Sequence, residues 1–220
     1  MISELRQKQL IWFANEHWVD NESISTQFAT LDNTLGGGIP AQGLIELQSQ
    51  LGVGELSLLS HYLIAKQEQG MIVFVSPPTL INSEALIQQG IALDKVLFIT
   101  TVSHEETNWA VEQCLKSGLC STVLAWPHAL NLTQIRRLNL AAEQNSASLI
   151  LYTPSNTKPL SNIKLSLKLS PIPTGIKIKI QKYRGQLSKT DPIVDLRTDW
   201  QSLYRYQSAN SNLKTSYFAS

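Results

Sequence analysis

The 220-residue sequence contains little cysteine and no long apolar run. Its two cysteines, Cys114 and Cys120, are too few for a disulfide framework, and their spacing does not match a C-x-x-C site. No stretch of roughly 18 apolar residues is present, so no membrane-spanning helix is expected. The N-terminal residues, MISELRQKQLIWFANEHW, are too polar for a secretory signal. The sequence therefore predicts a soluble, cytoplasmic protein.

Metal ligands and signs of disorder are also lacking. The four histidines are scattered without the spacing of zinc ligands, so no metal site is expected. The 9 proline and 11 glycine residues are ordinary counts, which argues against global disorder. With 43% hydrophobic residues, the chain is long enough for one well-buried domain with appended segments.

Charge is divided unevenly along the chain. Residues 1–157 carry 7 Lys or Arg against 14 Asp or Glu, a net charge of −7. Residues 158–220 carry 11 Lys or Arg against 3 Asp, a net charge of +8. This division predicts that the C-terminal third meets an acidic partner, either nucleic acid or a protein surface. The alternative is that lysines protect the exposed edge of a hairpin.

Predicted strands alternate with predicted helices through the middle of the chain. MIVFVS and KVLFIT are continuous apolar runs, typical of strands buried on both faces. Asn82 or Ser83 is the expected cap of one helix, Ser103 and Glu106 form a capping box for another, and Gly70 is the expected C-cap of a third. The predicted strands are 44–47, MIVFVS, KVLFIT, STVLAW and ASLILY, and the helices are 56–66, INSEALIQQG, SHEETNWAVEQCLKSG and NLTQIRRLNLAAEQN. This alternation predicts a parallel α/β sheet.

The two ends of the chain follow different patterns. Residues 1–20 have the apolar periodicity of an amphipathic helix. The domain proper is expected over 21–198, beginning with a turn-rich segment, STQFATLDNTLGGGIPAQG, whose glycines and proline argue against regular structure. IKLSLKLS and GIKIKIQKYRG alternate strictly between apolar and polar residues, which predicts a basic hairpin within 158–190. DPIVDLR is a candidate final strand, and 199–220 is a polar tail.

The turn-rich segment resembles the entry to the core of the recombinase RecA. That family has an S-T-G-x-x-x-L-D-x-x-L-G-x-G-G-x-P-x-G run that leads directly into the strand before the phosphate loop. The matching or nearly matching positions are Ser25, Thr26, Leu31, Asp32, Leu35, Gly36, Gly38, Pro40 and Gly43. The resemblance extends over about residues 24–190 and implies a RecA-like parallel sheet flanked by helices, of the P-loop NTPase type. Its register places Gly54 on the last glycine of the phosphate loop.

The resemblance fails at the catalytic positions. Ser49 replaces the first glycine of the loop, Glu55 the lysine and Leu56 the hydroxyl residue. Pro78 stands in the place of the catalytic glutamate, and Ala125 or Trp126 in that of the magnesium-supporting aspartate. The stretches that form the DNA-binding loops in RecA are very short here. The nucleotide site is therefore expected to be degenerate.

Glu55 argues against nucleotide binding on physical grounds. A helix N-terminus attracts an anion by roughly 0.3–1 kcal/mol. A like-charge pair at about 4 Å costs on the order of 4 kcal/mol at an effective dielectric constant of about 20. Repulsion between the Glu55 carboxylate and a phosphate therefore outweighs the helix-end attraction. We expect no ATP hydrolysis and no cofactor, and Glu55 is interpreted as an acid in the first turn of a helix.

A degenerate site of this kind is similar to that of the RecA relatives grouped as SulA and ImuA. The full turn-rich segment, STQFATLDNTLGGGIPAQG, which we call the lead-in, and the basic hairpin favour the ImuA type. That resemblance implies a non-catalytic adaptor of SOS-induced translesion synthesis, with an ImuB-like Y-family polymerase homologue, an error-prone C-family polymerase and RecA as partners. The alternative is a SulA-like inhibitor of cell division that binds FtsZ. A cryptic ATPase is the third hypothesis.

The hairpin supplies the candidate contact residues. Lys177 and Lys179 are expected on one face of their strand, opposite three isoleucines. A basic strand with an aromatic residue is typical of backbone contact to single-stranded nucleic acid, here weak and salt-sensitive. The candidate residues are Lys177, Lys179, Lys182, Tyr183, Arg184 and Lys189.

Overall fold

The computed structural model describes residues 23–127, 130–183 and 191–196. The predicted N-terminal helix over 1–20 and the predicted tail over 199–220 lie outside these residues. So do Arg184 and Lys189 of the basic set. The domain boundaries derived from the sequence therefore stay predictions.

Within this part of the chain, strands and helices alternate as the sequence predicts. The strands are β1 (Ser23–Ile24), β2 (Ile39–Pro40), β3 (Gly43–Gln48), β4 (Met71–Val75), β5 (Val96–Ile99), β6 (Cys120–Ala125), β7 (Ser148–Thr153), β8 (Leu165–Ile172), β9 (Gly175–Tyr183) and β10 (Ile193–Asp195). The helices are α1 (Ala29–Leu35), α2 (Glu55–Gln67), α3 (Ser83–Gln88), α4 (His104–Lys116) and α5 (Leu132–Gln144), with a 3₁₀ turn at Leu93–Lys95.

A mostly parallel sheet with flanking helices organises the described residues. Its strand order is β10-β9-β8-β3-β7-β6-β4-β5. All pairings from β8 through β3, β7, β6 and β4 to β5 are parallel, whereas β9 and β10 add antiparallel pairs at one side. The prediction of a mixed α/β fold with a C-terminal hairpin is therefore confirmed. The carboxyl ends of β3 to β8 lie along one edge of the sheet, called the carboxyl edge below.

Each face of the sheet has its own hydrophobic core. On one face, Leu58, Leu59 and Leu63 of α2 pack against β3, β4 and the isoleucines of β9. On the other face, α4 and α5 pack against β4, β6 and β7. The second core contains no residue of β8 or β9. On this side of the sheet, the polar face of these two strands is therefore not part of a hydrophobic core.

The prediction that KVLFIT forms a fully buried strand is wrong. β5 is the edge strand of the sheet, paired with β4 alone among the described residues. Leu97 and Phe98 are 45% and 42% exposed. An apolar run shows that a strand is hydrophobic, but not whether a neighbouring strand covers its outer side.

The prediction that the lead-in has no regular structure is also wrong. Residues 29–35 form α1, and β1 pairs with β2 in an antiparallel ladder. The Asp32 carboxylate organises the segment, because it accepts hydrogen bonds from the Thr26 amide at 2.9 Å and the Ser25 hydroxyl at 2.6 Å. Gly38 lets β2 approach β1: a Cβ atom there would lie 2.1 Å from the Ile24 carbonyl oxygen.

The predicted helix caps are found in full in one of three cases. The Asn82 side chain accepts from the amides of Glu84 and Ala85, as predicted. The Ser103 hydroxyl accepts from the Glu106 amide at 3.2 Å, but the Glu106 carboxylate accepts from the Val102 amide at 3.0 Å, so the reciprocal bond of the predicted capping box is not formed. Gly70, however, is not a C-cap, because α2 is capped by Glu68 in a right-handed conformation. Glycine at this position instead allows close approach to the backbone before β6, because a Cβ atom on residue 70 would lie 2.7 Å from the Leu119 carbonyl oxygen.

Candidate functional site

The loop between β3 and α2 binds its own carboxylate. Glu55 is the first residue of α2, as predicted, and its Oε1 accepts a hydrogen bond from the Gly52 amide at 3.0 Å. Its side chain is almost completely buried, and Leu56 packs on the α2-side core. The Gly52 amide therefore already has a carboxylate acceptor within the loop.

Aromatic rings fill the neighbouring part of the carboxyl edge. The Trp126 ring stacks on Tyr152 with centroids 4.5 Å apart and planes inclined by 5°. Phe74 continues the row, 6.5 Å from Trp126 and 5.1 Å from Phe98. Burial, reinforced by the Glu55 charge, raises the pKa of Tyr152 well above its usual value. The two positions that the RecA resemblance offers for a metal-supporting acid, Ala125 and Trp126, thus carry no carboxylate.

A buried glutamate on β3 was not singled out by the sequence. Glu46 is fully buried, and its two carboxylate oxygens accept hydrogen bonds from the hydroxyls of Thr153 and Ser166 and from the Leu160 amide, at 2.7–3.1 Å. These contacts tie the loop between β7 and β8 to the central strand. Glu46 therefore has a structural role, because its donors come from β7, from the loop between β7 and β8, and from β8.

Hydroxyl groups brace the loops that follow β4 and β5. Ser76 has a left-handed backbone, with a φ of 47°, directly after β4. Its hydroxyl accepts from the Thr101 amide at 3.1 Å and lies 2.5 Å from the Thr101 hydroxyl, which in turn lies 2.6 Å from that of Thr107. A non-glycine residue in this conformation costs of order 1–3 kcal/mol and persists where its surroundings fix it.

These braced loops carry apolar side chains into solvent. Leu80, after β4, is 99% exposed, and Val102, after β5, is 92% exposed. Leu51, in the loop after β3, is 52% exposed. Single exposed apolar residues are ordinary. Because β4 and β5 pair in parallel, the loops that follow them leave the sheet side by side at the carboxyl edge. We call Leu80 and Val102 together the carboxyl-edge apolar pair.

Lysines gather on the open face of the hairpin. Lys177 and Lys179 are exposed while Ile176, Ile178 and Ile180 are buried, which confirms the predicted alternation. The pairing register places Lys168 of β8 directly opposite Lys179. The sequence pattern of IKLSLKLS contains this lysine, but only the register between β8 and β9 shows that it joins the set.

A register shift between Ser166 and Leu167 reorganises the end of the hairpin. Because of it, Lys182 pairs with Ser166 and joins the lysine face. Tyr183 packs instead against the core on the opposite face. The Tyr183 ring therefore does not lie on the same face as the lysines, and its part in nucleic-acid contact stays a prediction. We call Lys168, Lys177, Lys179 and Lys182 the lysine face.

A cleft of about 420 Å³ separates α4 from α5, lined by His104, Glu105, Asn108, Trp109, Glu112, Gln134 and Arg137. Glu112 forms ion pairs with Lys116 at 2.6 Å and Arg137 at 2.5 Å. The Lys116 hydrogen bond, followed by the charges of Arg137 and Lys116, lowers the pKa of Glu112. Glu112 is therefore held ionised, with its charge balanced by Lys116 and Arg137.

Metal-binding and membrane-spanning features are absent from the residues that the structure describes. No group of three or more His, Cys, Asp or Glu side chains among them is placed to hold a metal ion. None of the helices in this part of the chain is long and apolar enough to cross a bilayer.

Comparison with known proteins relates the centre of the chain to SulA. Residues 45–148 match the family model described as cell division inhibitor SulA. A SulA from Photorhabdus laumondii is 32% identical over 89 residues, which cover 40% of this chain and 50% of that protein. A SulA from Serratia marcescens is 27% identical over 111 residues, covering 50% of this chain and 66% of that protein. This central segment is homologous to SulA.

The chain is also similar to RecA in sequence and can be aligned with a SulA crystal structure. The RecA protein of Synechococcus elongatus is 30% identical over 104 residues, covering 47% of this chain and 29% of RecA. The crystal structure of SulA from Pseudomonas aeruginosa aligns with a TM-score of 0.43 and 21% identity, over 50% of this chain and 97% of that one. The chain thus spans about half the length of the first SulA relative and under a third of RecA.

Proposed function

We propose that this protein is a non-catalytic, cytoplasmic member of the SOS response that inhibits cell division by binding FtsZ, as a SulA-type protein. The observation that carries the proposal is the SulA family match over residues 45–148. That segment contains the Glu55 loop, the rings of Phe74, Phe98 and Trp126, and the braced loops that bear the carboxyl-edge apolar pair.

The chemistry of the carboxyl edge supports action by contact. Glu55 accepts the hydrogen bond of the Gly52 amide, and Trp126 and Tyr152 stack on each other at the same edge of the sheet. Catalysis of phosphoryl transfer needs a metal and a positive charge at these places. Exposed apolar side chains on fixed loops suit a protein partner instead. We therefore propose that the degenerate RecA-like core serves as a docking module.

Adaptor function in translesion synthesis is the second candidate. Two features lie outside the segment matched to SulA. One is the lead-in, which contains the Ser25–Asp32 hydrogen bond, and the other is the lysine face. They are the two features that favour the ImuA resemblance. In this case the partners are an ImuB-like protein, an error-prone C-family polymerase and RecA, with weak non-specific DNA contact at the lysine face.

Separate binding assays with immobilised FtsZ, ImuB-like protein and RecA from the same source distinguish the candidates. We expect FtsZ to retain the chain, and the chain to reduce FtsZ polymerisation measured by light scattering. Retention by the ImuB-like protein or RecA without any effect on FtsZ would replace the first proposal with the second. Retention by none of the three would contradict both.

A further inference from the structure

The carboxyl-edge apolar pair lies where two helices begin. The loop after β4 carries Leu80 and leads into α3, and the loop after β5 carries Val102 and leads into α4. Because β4 and β5 pair in parallel, both loops and both helix starts lie at the carboxyl edge. The hydroxyl contacts of Ser76, Thr101 and Thr107 hold these loops in one geometry. A partner that binds the pair therefore meets a fixed support, and little loop entropy is lost on binding.

Acidic side chains surround the apolar pair. Glu84 lies in the first turn of α3, and Glu105 and Glu106 lie in the first turn of α4. All three are exposed. The Glu106 Oε2 atom accepts a hydrogen bond from the Val102 amide at 3.0 Å, so one carboxylate stands directly beside the exposed valine. Acids in the first turn of a helix are stabilised by its dipole, and their presence alone would be an ordinary finding.

Basic side chains are missing from this part of the edge. Residues 49–58, 76–86 and 100–107 form the loops after β3, β4 and β5 with the helix starts that follow them. These residues include four Glu and one His, but neither Lys nor Arg. The lysine face lies on β8 and β9, at the other side of the sheet. The exposed apolar side chains therefore stand in a region of negative charge that these segments do not balance.

Farther along the same edge, a buried acid is incompletely paired. Glu55 is 8% exposed, and its Oε1 accepts from the Gly52 amide, but its Oε2 has no hydrogen-bond partner among the residues that the structure describes. The stacked rings that run from Phe98 to Trp126 and Tyr152 join this position to β5. Buried polar atoms are normally hydrogen-bonded, and a carboxylate oxygen accepts from N–H groups and cations. This second observation also favours a cationic group at the carboxyl edge.

We propose that the carboxyl edge binds a protein segment in which apolar side chains are flanked by lysine or arginine. The apolar side chains of this segment cover Leu80 and Val102. Its cations lie beside the carboxylates of Glu84, Glu105 and Glu106. The proposal rests on the docking role proposed above for the degenerate core, and it adds the chemistry of the segment that docks.

The two kinds of contact have different effects. Burial of the apolar side chains supplies affinity at the centre of the contact. The surrounding opposite charges speed association and disfavour acidic partners. Nucleic acid does not fit this edge, because its phosphates would meet the carboxylates as like charges.

The test measures the binding of three dye-labelled model peptides of equal length to the full-length chain by fluorescence anisotropy. One peptide combines leucine with lysine, the second leucine with glutamate, and the third serine with lysine. We expect the leucine–lysine peptide to bind at least about tenfold more tightly than either of the others, and to weaken as salt is raised. Equal binding of the leucine–glutamate or the serine–lysine peptide would overturn the proposal.

Matched variants locate the binding surface. The double variant Glu84→Gln, Glu105→Gln should weaken binding of the leucine–lysine peptide at least about threefold. The double variant Glu68→Gln, Asp94→Asn is the control, because both residues are exposed and lie at the opposite edge, after α2 and before β5. Equal losses in the two variants would contradict the assigned surface. Self-association of the native chain that the first variant abolishes would assign the edge to a second copy and overturn the proposal.

Immobilised FtsZ from the same source separates this proposal from the function proposed above. Weaker retention of the Glu84→Gln, Glu105→Gln variant than of the control variant would support both. Equal retention of the native chain and this variant would leave the FtsZ proposal standing and refute the inferred chemistry. Failure of FtsZ to retain the native chain, with the leucine–lysine peptide bound as expected, would refute the FtsZ proposal and support the inferred chemistry.

Discussion

The Oε1 atom of Glu55 lies 3.0 Å from the amide nitrogen of Gly52, within the loop that follows β3. A carboxylate in this position competes with any phosphate for the same donor and repels it. Gly52 and Gly54 of this loop have positive φ, and the Gly52 amide is satisfied within the loop itself.

Nucleotide binding is therefore expected to be very weak. Calorimetric titration of the native chain with Mg-ATP should give a dissociation constant above about 100 μM, equivalent to a binding free energy weaker than about −5.5 kcal/mol. Glu55→Gln should change this little, since Leu56 and Trp126 still supply no metal ligand. Tighter binding by the native chain would contradict the prediction.

Removal of the Glu46 carboxylate should destabilise the fold strongly. Glu46→Ala leaves the hydroxyl of Ser166 and the amide of Leu160 without their acceptor, at a cost of about 1–3 kcal/mol for each buried donor. We expect a loss of about 3 kcal/mol in the free energy of unfolding, measured by urea titration. Glu46→Gln keeps one acceptor oxygen and should lose less. A change below about 0.5 kcal/mol in the alanine variant would show that these bonds contribute little.

The carboxyl-edge apolar pair should matter for binding and not for folding. Leu80→Asp and Val102→Asp change residues that are 99% and 92% exposed, so the free energy of unfolding should stay within about 0.5 kcal/mol of the native value. Binding to the protein partner, measured by surface plasmon resonance, should fall at least about tenfold. Leu119→Asp is the matched control, because Leu119 is 72% exposed at the start of β6 and thus at the opposite edge. Equal losses at Leu80 and Leu119 would argue against a specific surface.

Lys179→Glu should act in opposite directions on stability and on anion binding. Lys168 and Lys179 are direct cross-strand partners, and like charges in such pairs destabilise a sheet by roughly 0.2–1 kcal/mol. The variant should therefore unfold at slightly higher urea concentration, while its affinity for a single-stranded oligonucleotide falls. The slope of affinity against salt should decrease by about 1. Lys95→Glu, a change outside the lysine face, provides the control, and an equal effect there would indicate a general charge effect.

Glu112 should confer pH-dependent stability. Its pKa is lowered in the folded protein, first by the hydrogen bond from Lys116. The stabilisation is therefore complete above the ordinary carboxyl pKa of about 4.3 and disappears as the pH falls through the lower folded value. The difference in urea midpoint between the native chain and Glu112→Gln should be constant above about pH 5 and shrink toward about pH 3. A difference that grows on acidification would have the wrong sign.

The sequence predicts the order of strands and helices because periodicity and capping are local properties. Ser103, Asn82 and the alternating isoleucines of β9 each specify structure within a few residues of themselves. Position within the sheet is not local. Whether β5 has an outer neighbour, or which lysine stands opposite Lys179, depends on pairing between segments far apart in the chain.

At the candidate site, the sequence correctly predicts that Glu55 lies in the first turn of a helix, but not which groups Glu55 and Trp126 contact. The register that aligned Glu55 and Trp126 with reactive positions followed from the lead-in. The hydrogen bond from Gly52 to Glu55 and the stack of Trp126 on Tyr152 required the folded loop and the neighbouring strand. The side of the sheet on which Tyr183 lies depended on a register shift that no residue pattern marks.

The central position of β3 has a consequence for synthesis on the ribosome. Its two neighbours in the sheet are β7 and β8. The Glu46 carboxylate accepts a hydrogen bond from Ser166, which lies 120 residues later in the chain. A nascent chain therefore exposes both sides of a hydrophobic strand until most of the protein has been translated. Pairings of such long sequence separation form slowly and leave the intermediate prone to aggregation. We expect the yield of native protein to depend on translation speed and on chaperones.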